Sequence, residues 1–518
     1  MKTRESSSGH DRSAGRRIGA RSCGWCRCLL ATLLAVTACT TAPAEPDAER
    51  SWRLKASGTA FVNADGHRVL LRGVNAGGRS KWAPFAPFDF DASVPGDYEK
   101  QLAAYLDRAQ AWGINVLRVP FTWEAVEPVK GQDDAAFLKR YDALLDAAWQ
   151  RGIYTIVDCH QDVYAHVFCG DGFPAWTLPA DKTYPAPHHD CKNWFEFYIS
   201  SPDVNSAFDR FFSGQGGVLD AFRAMWHRMA LRYRDKPGVI GFEILNEPGH
   251  SIEGLDLWAK DVLTPFMADM AARIHVDAPE SLVFIDSSPF DALTFSTALQ
   301  RPPGDYIVFA PHWYDAAVYL GTPISLPASA TAVTAWAKVG EAWQAPVLLG
   351  ESGYPNDRKE SPEAIRGLYE ALDKASMSFT YWEYSVTKEA WNGEALSLMR
   401  PDGKEHTALV DQVARPYVRS VAGKQLPGLT WDPVKRRLLL TDVMAGLPIH
   451  VALPQRAFQN GYYLVTDNGG CSGQVIETTV IAHGPGGILR LTAGKDGAAC
   501  TFNRLGAIQF PTVAVQGL

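Results

Sequence analysis

The chain of 518 residues lacks several features that mark common classes of protein. No C-x-x-C pairs recur at the spacing of a structural zinc site, and no G-x-G-x-x-G follows the first strand-like run. No internal repeats stand out. These absences argue against a zinc site and against a doubly wound, dinucleotide-binding sheet, so we expect neither a metal ion nor a cofactor.

Positive charge is also in deficit outside the N-terminus. The net charge of −7 includes a net +5 from residues 1–39, which leaves −12 for the rest of the chain. This excess of negative charge outside residues 1–39 argues against nucleic acid as the main partner.

The N-terminal segment has the layout of an export signal. Basic residues precede the apolar run "CLLATLLAVTAC", which is too short for a comfortable membrane span. Its ending, "VTAC", resembles the lipobox of bacterial lipoproteins and would make Cys39 a lipid anchor; the alternative is plain secretion. We therefore predict a signal over 1–39, a Pro/Ala tether over 40–52, and a protein that is secreted or attached to the outer face of the bacterial membrane through Cys39.

Cysteine is sparse, and four of the nine lie in the leader. Export makes the others readable as disulfides. Cys169 and Cys191 flank one loop, and Cys471 and Cys500 lie in the last hundred residues, so we predict two pairs. Cys159 lies in an apolar run and is expected to be a buried, inert thiol.

The rest of the chain divides into two regions with different sequence patterns. From residue 68 to 385, eight short apolar runs alternate with amphipathic stretches such as "QLAAYLDRAQAWG", which predicts a parallel (β/α)₈ barrel over 53–426. After about residue 427, short runs such as "LPIHVALP" and "GILRLTAG" are separated by Gly, Asp and Asn. They predict a small antiparallel β-sandwich over 427–518.

Polar residues follow six of the eight predicted barrel strands. A barrel of this kind carries its active site at the carboxyl ends of the strands, so these side chains should meet at one mouth. They are Arg118, His160, Asp162, Asn246, Glu247, His312, Tyr314, Glu351, Trp382 and Glu383.

Two carboxyl groups on opposite sides of that mouth are what glycoside hydrolysis requires. We predict Glu247 as the acid/base and Glu351 as the nucleophile, with Asn246 placed to bond the sugar 2-hydroxyl. Arg118 and Tyr314 are expected to hold Glu351 ionised and aimed. His312 is expected to line the same floor.

The motifs around these glutamates carry a family resemblance. A strand followed by "LNEP", with a second glutamate in "LLGESGY" on the seventh strand, resembles glycoside hydrolase family 5 over roughly residues 55 to 420. The segments "DCHQDVYAHVFCGDGFPAW" and "YWEYS", with the small β domain, are similar to the endoglycoceramidases within it. That resemblance implies cleavage between sugar and ceramide in glycosphingolipids.

The same resemblance implies substrate contacts. By position, Lys81, His160 and Asp162 would contact the sugar next to the scissile bond, and Trp382 would be its stacking platform. The sequence departs from the pattern at Cys-His-Gln-Asp with a paired Cys169, which leaves open whether a glucosyl–ceramide or a galactosyl–ceramide link is preferred.

Some assignments stay open at this stage. Phe168, Phe173 and Trp176 are candidates to face the lipid, unless they pack their loop against the barrel. Asp171 and Glu383 are either structural hydrogen-bond partners or substrate contacts. His188, His189 and Asp190 are interpreted as a solvated loop and not as a metal site.

Two other functions remain alternatives to the endoglycosidase. One is a family 5 β-1,4-glucanase or mannanase acting on polysaccharide, which would need an open cleft with aromatic platforms on both sides. The other is a non-catalytic sugar-binding surface protein, which the presence of both glutamates disfavours. Contact with a membrane surface is expected if the substrate is a glycolipid, and the oligomeric state stays open.

Overall fold

A computed structural model describes residues 52–249, 253–423, 425–444 and 446–458, and beyond residue 458 the backbone of the strands alone. These residues belong to one compact unit, Ser51–Leu518.

In chain order, the strands are β1 Lys55–Ser57, β2 Ala60–Val62, β3 Arg68–Val69, β4 Arg72–Asn75, β5 Val116–Thr122, β6 Tyr154–His160, β7 Val239–Glu243, β8 Leu282–Ile285, β9 Ile307–Phe309, β10 Leu348–Leu349, β11 Ser378–Tyr381, β12 Tyr417–Val421, β13 Gly428–Asp432, β14 Arg437–Val443, β15 Ile449–Leu453, β16 Tyr462–Thr466, β17 Cys471–Glu477, β18 Val480–Ile481, β19 Gly484–Pro485, β20 Gly487–Ala493 and β21 Ala498–Arg504.

The α-helices lie mainly between the barrel strands. They are α1 Asp97–Ala111, α2 Trp123–Val126, α3 Ala135–Gln150, α4 Phe197–Ser200, α5 Pro202–Phe212, α6 Val218–Tyr233, α7 Leu255–Trp258, α8 Thr264–Asp277, α9 Asp291–Thr294, α10 Ala316–Leu320, α11 Ala328–Trp343, α12 Ser361–Ala375 and α13 Thr407–Val413.

Eight parallel strands form the barrel, in the spatial order β10-β11-β4-β5-β6-β7-β8-β9. Parallel bridges between Phe309 and Val347 and between His312 and Glu351 join the two ends of this sheet. The strands are apolar throughout because both of their faces are covered: every residue of β5 and β8 is buried. The predicted (β/α)₈ fold is confirmed.

The helices form where the sequence combines an apolar stripe with a cap. The stripe of α3 buries Phe137, Tyr141 and Leu145 at intervals of four residues. The Asp134 carboxylate accepts the backbone N–H groups of Ala136 and Phe137 and so begins this helix.

Three antiparallel sheets of the described residues lie outside the barrel. One has the order β1-β2-β3-β12-β15-β20-β17, the second β13-β14-β21-β16, and the third consists of β18 and β19. Strands β1 to β3 fall within the predicted 53–426 domain, yet β3 pairs with β12, and β12 pairs with β15 beyond residue 427. Strand pairing therefore crosses the predicted boundary, which itself stays a prediction.

The predictions for the three cysteines whose side chains the structure describes are confirmed. Cys169 and Cys191 form a disulfide, and Cys159 is free and buried. The side chains of Cys471 and Cys500 lie outside the described residues. Within the described part of the chain, no helix combines the length and apolarity that crossing a bilayer would require.

Candidate active site

The two predicted catalytic glutamates come from different sides of the barrel and meet at its mouth. Glu247 lies four residues beyond the end of β7, and Glu351 two residues beyond the end of β10. A carboxyl oxygen of each and a ring nitrogen of His312 all lie within 4.8 Å of one another. Oxygens this close are compatible with the separation of about 5–5.5 Å that retaining glycosidases keep between their two carboxyl groups.

Glu351 is held by two donors. Nη1 of Arg118 lies 2.6 Å from its Oε1, and the hydroxyl of Tyr314 donates to Oε2 at 2.8 Å. Arg118 is fully buried and is itself fixed by Glu243, at 2.7 and 2.8 Å, and by Asp158, at 3.1 Å. A carboxylate oriented in this way suits attack on an anomeric carbon, as predicted for the nucleophile.

Glu247 lies in a different environment, with His312 as its neighbour in place of a cation. Its Oε1 is 3.0 Å from Nδ1 of His312, whose pKa burial lowers to about 3, so the imidazole is neutral. Burial, reinforced by the charge of Asp162, raises the pKa of Glu247 to about 7. A carboxyl group that keeps its proton near neutral pH is what a general acid requires.

The predicted sugar-contacting residues form one cluster beside this pair. Nζ of Lys81 lies 2.5 Å from Oδ2 of Asp162, and Nδ1 of His160 lies 2.9 Å from Oδ2 of Asp158. The imidazole of His160 stacks parallel to Trp382, with 5.3 Å between ring centroids. The structure therefore brings these predicted residues together. We call Lys81, His160, Asp162 and Trp382 the Lys81 cluster.

The charges within this cluster stabilise one another. Burial alone would lower the pKa of His160, but Asp158 and Asp162 outweigh it and raise that pKa to about 10. Lys81 and His160 likewise outweigh burial at Asp162 and lower its pKa to about 2. The cluster thus offers fixed donors and acceptors to sugar hydroxyls without needing to rearrange.

Asn246 is fixed at both ends of its amide. Its Oδ1 accepts from Nη2 of Arg118 at 2.8 Å, and its Nδ2 donates to the carbonyl of Gln161 at 2.9 Å. One N–H of that amide remains for a ligand, as the predicted contact with a sugar 2-hydroxyl needs.

A cavity of about 330 Å³ opens above these residues. It is lined by Lys81, Asp162, Lys192, Trp194, Phe195, Glu247, Tyr314, Val318, Tyr319, Glu351, Pro355, Asp357, Arg358, Trp382, Asn392, Gly393, Glu394, Ala395 and Leu396. This volume lies at the lower end of the range for small-molecule sites.

Glu394 is a cavity residue that the sequence reasoning missed. Its Oε2 accepts from the indole N–H of Trp382 at 3.3 Å, and its Oε1 lies 3.8 Å from Nζ of Lys81. Burial raises its pKa to about 6 despite that lysine. No motif or periodicity marks this position, because it lies on an irregular loop after β11.

The three lipid-facing candidates do not reach the cavity. Phe173 is 2% exposed and stacks on Tyr164 at 4.2 Å, within the aromatic core under its loop. The indole N–H of Trp176 donates to the carbonyl of Glu127 at 3.0 Å, and the ring of Phe168 meets that of Tyr184 edge-on. Packing of the loop against the barrel, the alternative interpretation, accounts for these positions, and the geometry does not support lipid contact.

Asp171 and Glu383 also lie outside the cavity lining. Asp171 is fully buried and bridges the backbone of Asp162, and its carboxyl oxygens accept no hydrogen bond from the described residues. Glu383 accepts from the hydroxyl of Ser385 at 2.9 Å. Both side chains therefore lie behind the residues that line the cavity.

Metal binding is tested by the same geometry. Three groups of described residues bring ligand atoms within 4.8 Å: His160 with Asp162 and Asp171, His312 with Glu243 and Asp286, and His312 with both glutamates. In each group one carboxylate is already paired with a cation: Asp162 with Lys81, and Glu243 and Glu351 with Arg118. The fourth group, which includes His188 and Asp190, has both of its sulfurs in the Cys169–Cys191 disulfide.

Known proteins resemble the chain in sequence and in fold. Residues 62–388 match the family described as Cellulase (glycosyl hydrolase family 5). Endoglycoceramidase I of Rhodococcus hoagii (strain 103S) is 26% identical over 463 residues, which cover 84% of this chain and 86% of that protein. An endoglycoceramidase of Cyanea nozakii is 28% identical over 42% of this chain and 46% of its own length.

Among solved structures, endo-glycoceramidase II from Rhodococcus sp. in a ganglioside GM3 complex superposes with a TM-score of 0.67. It is 22% identical, and the match covers 87% of this chain and all of that one. This likeness shows a shared fold.

Proposed function

The chain belongs to glycosyl hydrolase family 5, and we propose that it is a retaining endoglycosidase that cuts the β-glycosidic bond between sugar and ceramide in glycosphingolipids. The observation that carries the proposal is the pair of glutamates with carboxyl oxygens within 4.8 Å of each other, one held by a cation and the other with a pKa that burial raises to about 7. Similarity to endoglycoceramidases over most of the chain supports the substrate class.

The geometry assigns each step to a residue. Glu351 attacks the anomeric carbon while Glu247 gives its proton to the glycosidic oxygen, which releases ceramide and leaves the sugar bound covalently to Glu351. Water then attacks the same carbon and displaces the carboxylate of Glu351, while Glu247, now a carboxylate, takes the proton from that water. Two inversions restore the starting β configuration.

The lipid has a better candidate surface than the loop predicted from sequence. Phe195, Val318 and Tyr319 line the cavity, with 4.6 Å between the ring centroids of Phe195 and Tyr319. Ile199, four residues after Phe195, and Leu320, next to Tyr319, are 51% and 68% exposed. We name these five residues the apolar rim.

Exposed apolar side chains grouped beside a polar cavity mark a binding surface. The apolar rim suits the hydrocarbon part of ceramide and contact with a membrane surface, while the Lys81 cluster suits the sugar. The polysaccharide alternative is weaker because Trp194 and Trp382, the tryptophans of the cavity, are each less than a tenth exposed. An extended glucan would need accessible platforms.

An extracellular location belongs to the same proposal. A leader over 1–39 and the Cys169–Cys191 disulfide both suit an oxidising compartment. Metabolic labelling with a fatty acid, compared between wild type and Cys39→Ser, distinguishes lipidation of Cys39 from free secretion.

The decisive experiment is a substrate panel with product identification. Glucosylceramide, galactosylceramide, lactosylceramide and a soluble β-glucan are each incubated with wild type and with Glu351→Gln. We expect intact sugar, first released as the β anomer by proton NMR, and ceramide by mass spectrometry, with the variant reduced by several orders of magnitude. Release from the glucan alone would overturn the glycolipid assignment, and an inverted anomer would overturn the mechanism.

A further inference from the structure

Asp286 is a buried carboxylate behind the acid/base that neither the motifs nor the mechanism above uses. It follows the end of β8, is 1% exposed, and does not line the cavity. Its Oδ1 accepts the backbone N–H of Ser287 at 2.7 Å, and its Oδ2 accepts the backbone N–H of Glu247 at 2.8 Å. The carboxylate is thus tied to the main chain of the catalytic acid.

That main chain has an unusual conformation. Glu247 has φ of +41°, in the left-handed region that residues other than glycine rarely adopt. Gln161 supports the neighbouring carbonyls, because its Nε2 donates to those of Asn246 and Glu247 at 2.8 and 2.7 Å. Asp286 accepts the backbone N–H of Glu247, and Gln161 donates to the backbone carbonyl of Glu247. Hydrogen bonds on both sides of the residue therefore fix the backbone conformation that orients the Glu247 side chain.

The same oxygen of Asp286 also faces the imidazole beside the acid. Its Oδ2 lies 3.4 Å from Nε2 of His312, and the other ring nitrogen lies 3.0 Å from Oε1 of Glu247. Among the described residues Nε2 has no hydrogen-bond partner of normal geometry, and Oε1 of Glu243 is farther from it, at 4.0 Å. Asp286 is therefore the group placed to control which nitrogen of His312 carries the proton.

The tautomer decides where the catalytic proton points. A neutral imidazole has one N–H. If it is on Nδ1, it donates to Oε1 of Glu247, and the acidic proton stays on Oε2 for the leaving oxygen. If it is on Nε2, Nδ1 accepts the proton of Glu247 and turns it away from the substrate.

The surroundings of Asp286 favour the productive arrangement. Burial and the negative charges of Glu243 and Glu247 raise the pKa of Asp286 well above its ordinary value, against the opposing effect of Arg118. A protonated Asp286 can donate to Nε2 of His312 while its oxygen still accepts the N–H of Glu247.

We propose that Asp286 is a positioning residue for the general acid, which fixes the backbone of Glu247 and sets the tautomer of His312. The proposal rests on the acid role of Glu247 but not on the lipid, so simple β-glycosides test it even if ceramide is not the natural leaving group.

The test compares Asp286→Asn with Asp286→Leu. Both contacts go to Oδ2, so an amide oxygen in that position can still accept the N–H of Glu247 but has no proton to donate to His312, whereas leucine can do neither. The measured quantity is kcat/KM on two aryl glycosides of the same sugar, one with a dinitrophenyl leaving group and one with an unactivated phenyl group.

We expect Asp286→Leu to lose about a hundredfold on the phenyl glycoside and only a few-fold on the dinitrophenyl glycoside, because only the former needs the proton. Asp286→Asn, which keeps only the contact with Glu247, should fall between wild type and the leucine variant on the phenyl glycoside and stay within a few-fold of wild type on the dinitrophenyl glycoside. Asp291→Asn, which removes another buried carboxyl from the same loop, is the matched control and should leave the ratio of the two substrates unchanged.

Equal losses of Asp286→Leu on both substrates, no loss on either, or an Asn variant as impaired as the Leu variant would each overturn the proposal. Should the leucine variant not fold, ¹⁵N NMR of histidine-labelled wild type, with His312 assigned by His312→Gln, decides it. The proposal requires the proton on Nδ1 and is overturned if Nε2 carries it.

Discussion

At the scale of single residues, the two catalytic glutamates differ only in what surrounds them. Arg118 and Tyr314 meet the carboxylate of Glu351, whereas Glu247 faces a neutral imidazole in a buried site. The surroundings therefore suit the proposed roles, in which one glutamate is the nucleophile and the other is the proton donor.

This contrast predicts the pH dependence of catalysis. Glu247 must be protonated to donate, and its pKa lies at about 7, so kcat/KM on an unactivated glycoside should fall as pH rises through about 7. The measurement is kcat/KM against pH for wild type and Glu247→Gln. The variant should lose this basic limb together with most of its activity; a limb that survives at the same pH would assign the titration to another group.

At the scale of elements, the loop after β6 and the loop after β11 form one wall of the cavity. Asn392 joins them: its Oδ1 accepts the N–H of Cys191 at 3.0 Å, and its Nδ2 donates to the carbonyl of Cys169 at 2.7 Å. This asparagine clamp thus binds both ends of the disulfide. Two residues further, Glu394 contacts Trp382 and faces Lys81.

Breaking the asparagine clamp should damage both stability and substrate binding. Asn392→Ala removes two hydrogen bonds from buried or half-buried backbone groups, and we expect a loss of about 1–3 kcal/mol in the free energy of unfolding. KM should rise more than kcat falls if, as we propose, Glu394 and the Lys81 cluster contact the sugar and not the reacting bond. Urea unfolding and steady-state kinetics measure the two effects.

Asn193→Ala, at an exposed asparagine of the same loop, is the control and should behave like wild type. Reduction of the Cys169–Cys191 disulfide should reproduce part of the effect on KM. Unchanged KM in Asn392→Ala would show that the two loops hold the cavity wall independently.

At the scale of the whole molecule, the mouth of the barrel combines a charged cluster with the apolar rim. Sugar hydroxyls and hydrocarbon chains need opposite surfaces, and a substrate that carries both is recognised best where the two meet at the scissile bond. The exposed rim residue Leu320 separates the two contributions without touching the catalytic groups.

Leu320→Ser should lower kcat/KM on lactosylceramide by about tenfold and leave an aryl glycoside unchanged. Full burial of a leucine side chain is worth about 1.5–3 kcal/mol, so even partial contact with a lipid chain is measurable. Leu231→Ser, at a half-exposed leucine on α6, is the matched control. Equal activity of Leu320→Ser and wild type on the glycolipid would place the hydrocarbon chains elsewhere.

The sequence by itself determined the features that depend on local patterns of residues. Helical and strand periodicity predicted the order of the barrel elements, because each element must bury one face or stripe of its own. The rule that barrel sites lie at the carboxyl ends of strands then brought Glu247, Glu351, Arg118 and the Lys81 cluster to one mouth. The structure places them together.

Tertiary structure alone decided the contacts that have no period. Glu394 gained its neighbour Lys81, and Asp286 its neighbour Glu247, from elements far away in the chain. Likewise β3 pairs with β12, with Val69 opposite Ser420, and no local pattern in the sequence predicts that pairing. Apolar loop residues were equally ambiguous: Phe173 and Leu320 are both hydrophobic, yet one packs in the core and the other faces solvent. Burial depends on which distant surface folds over a side chain, and that is a property of the assembled molecule and not of its neighbours in sequence.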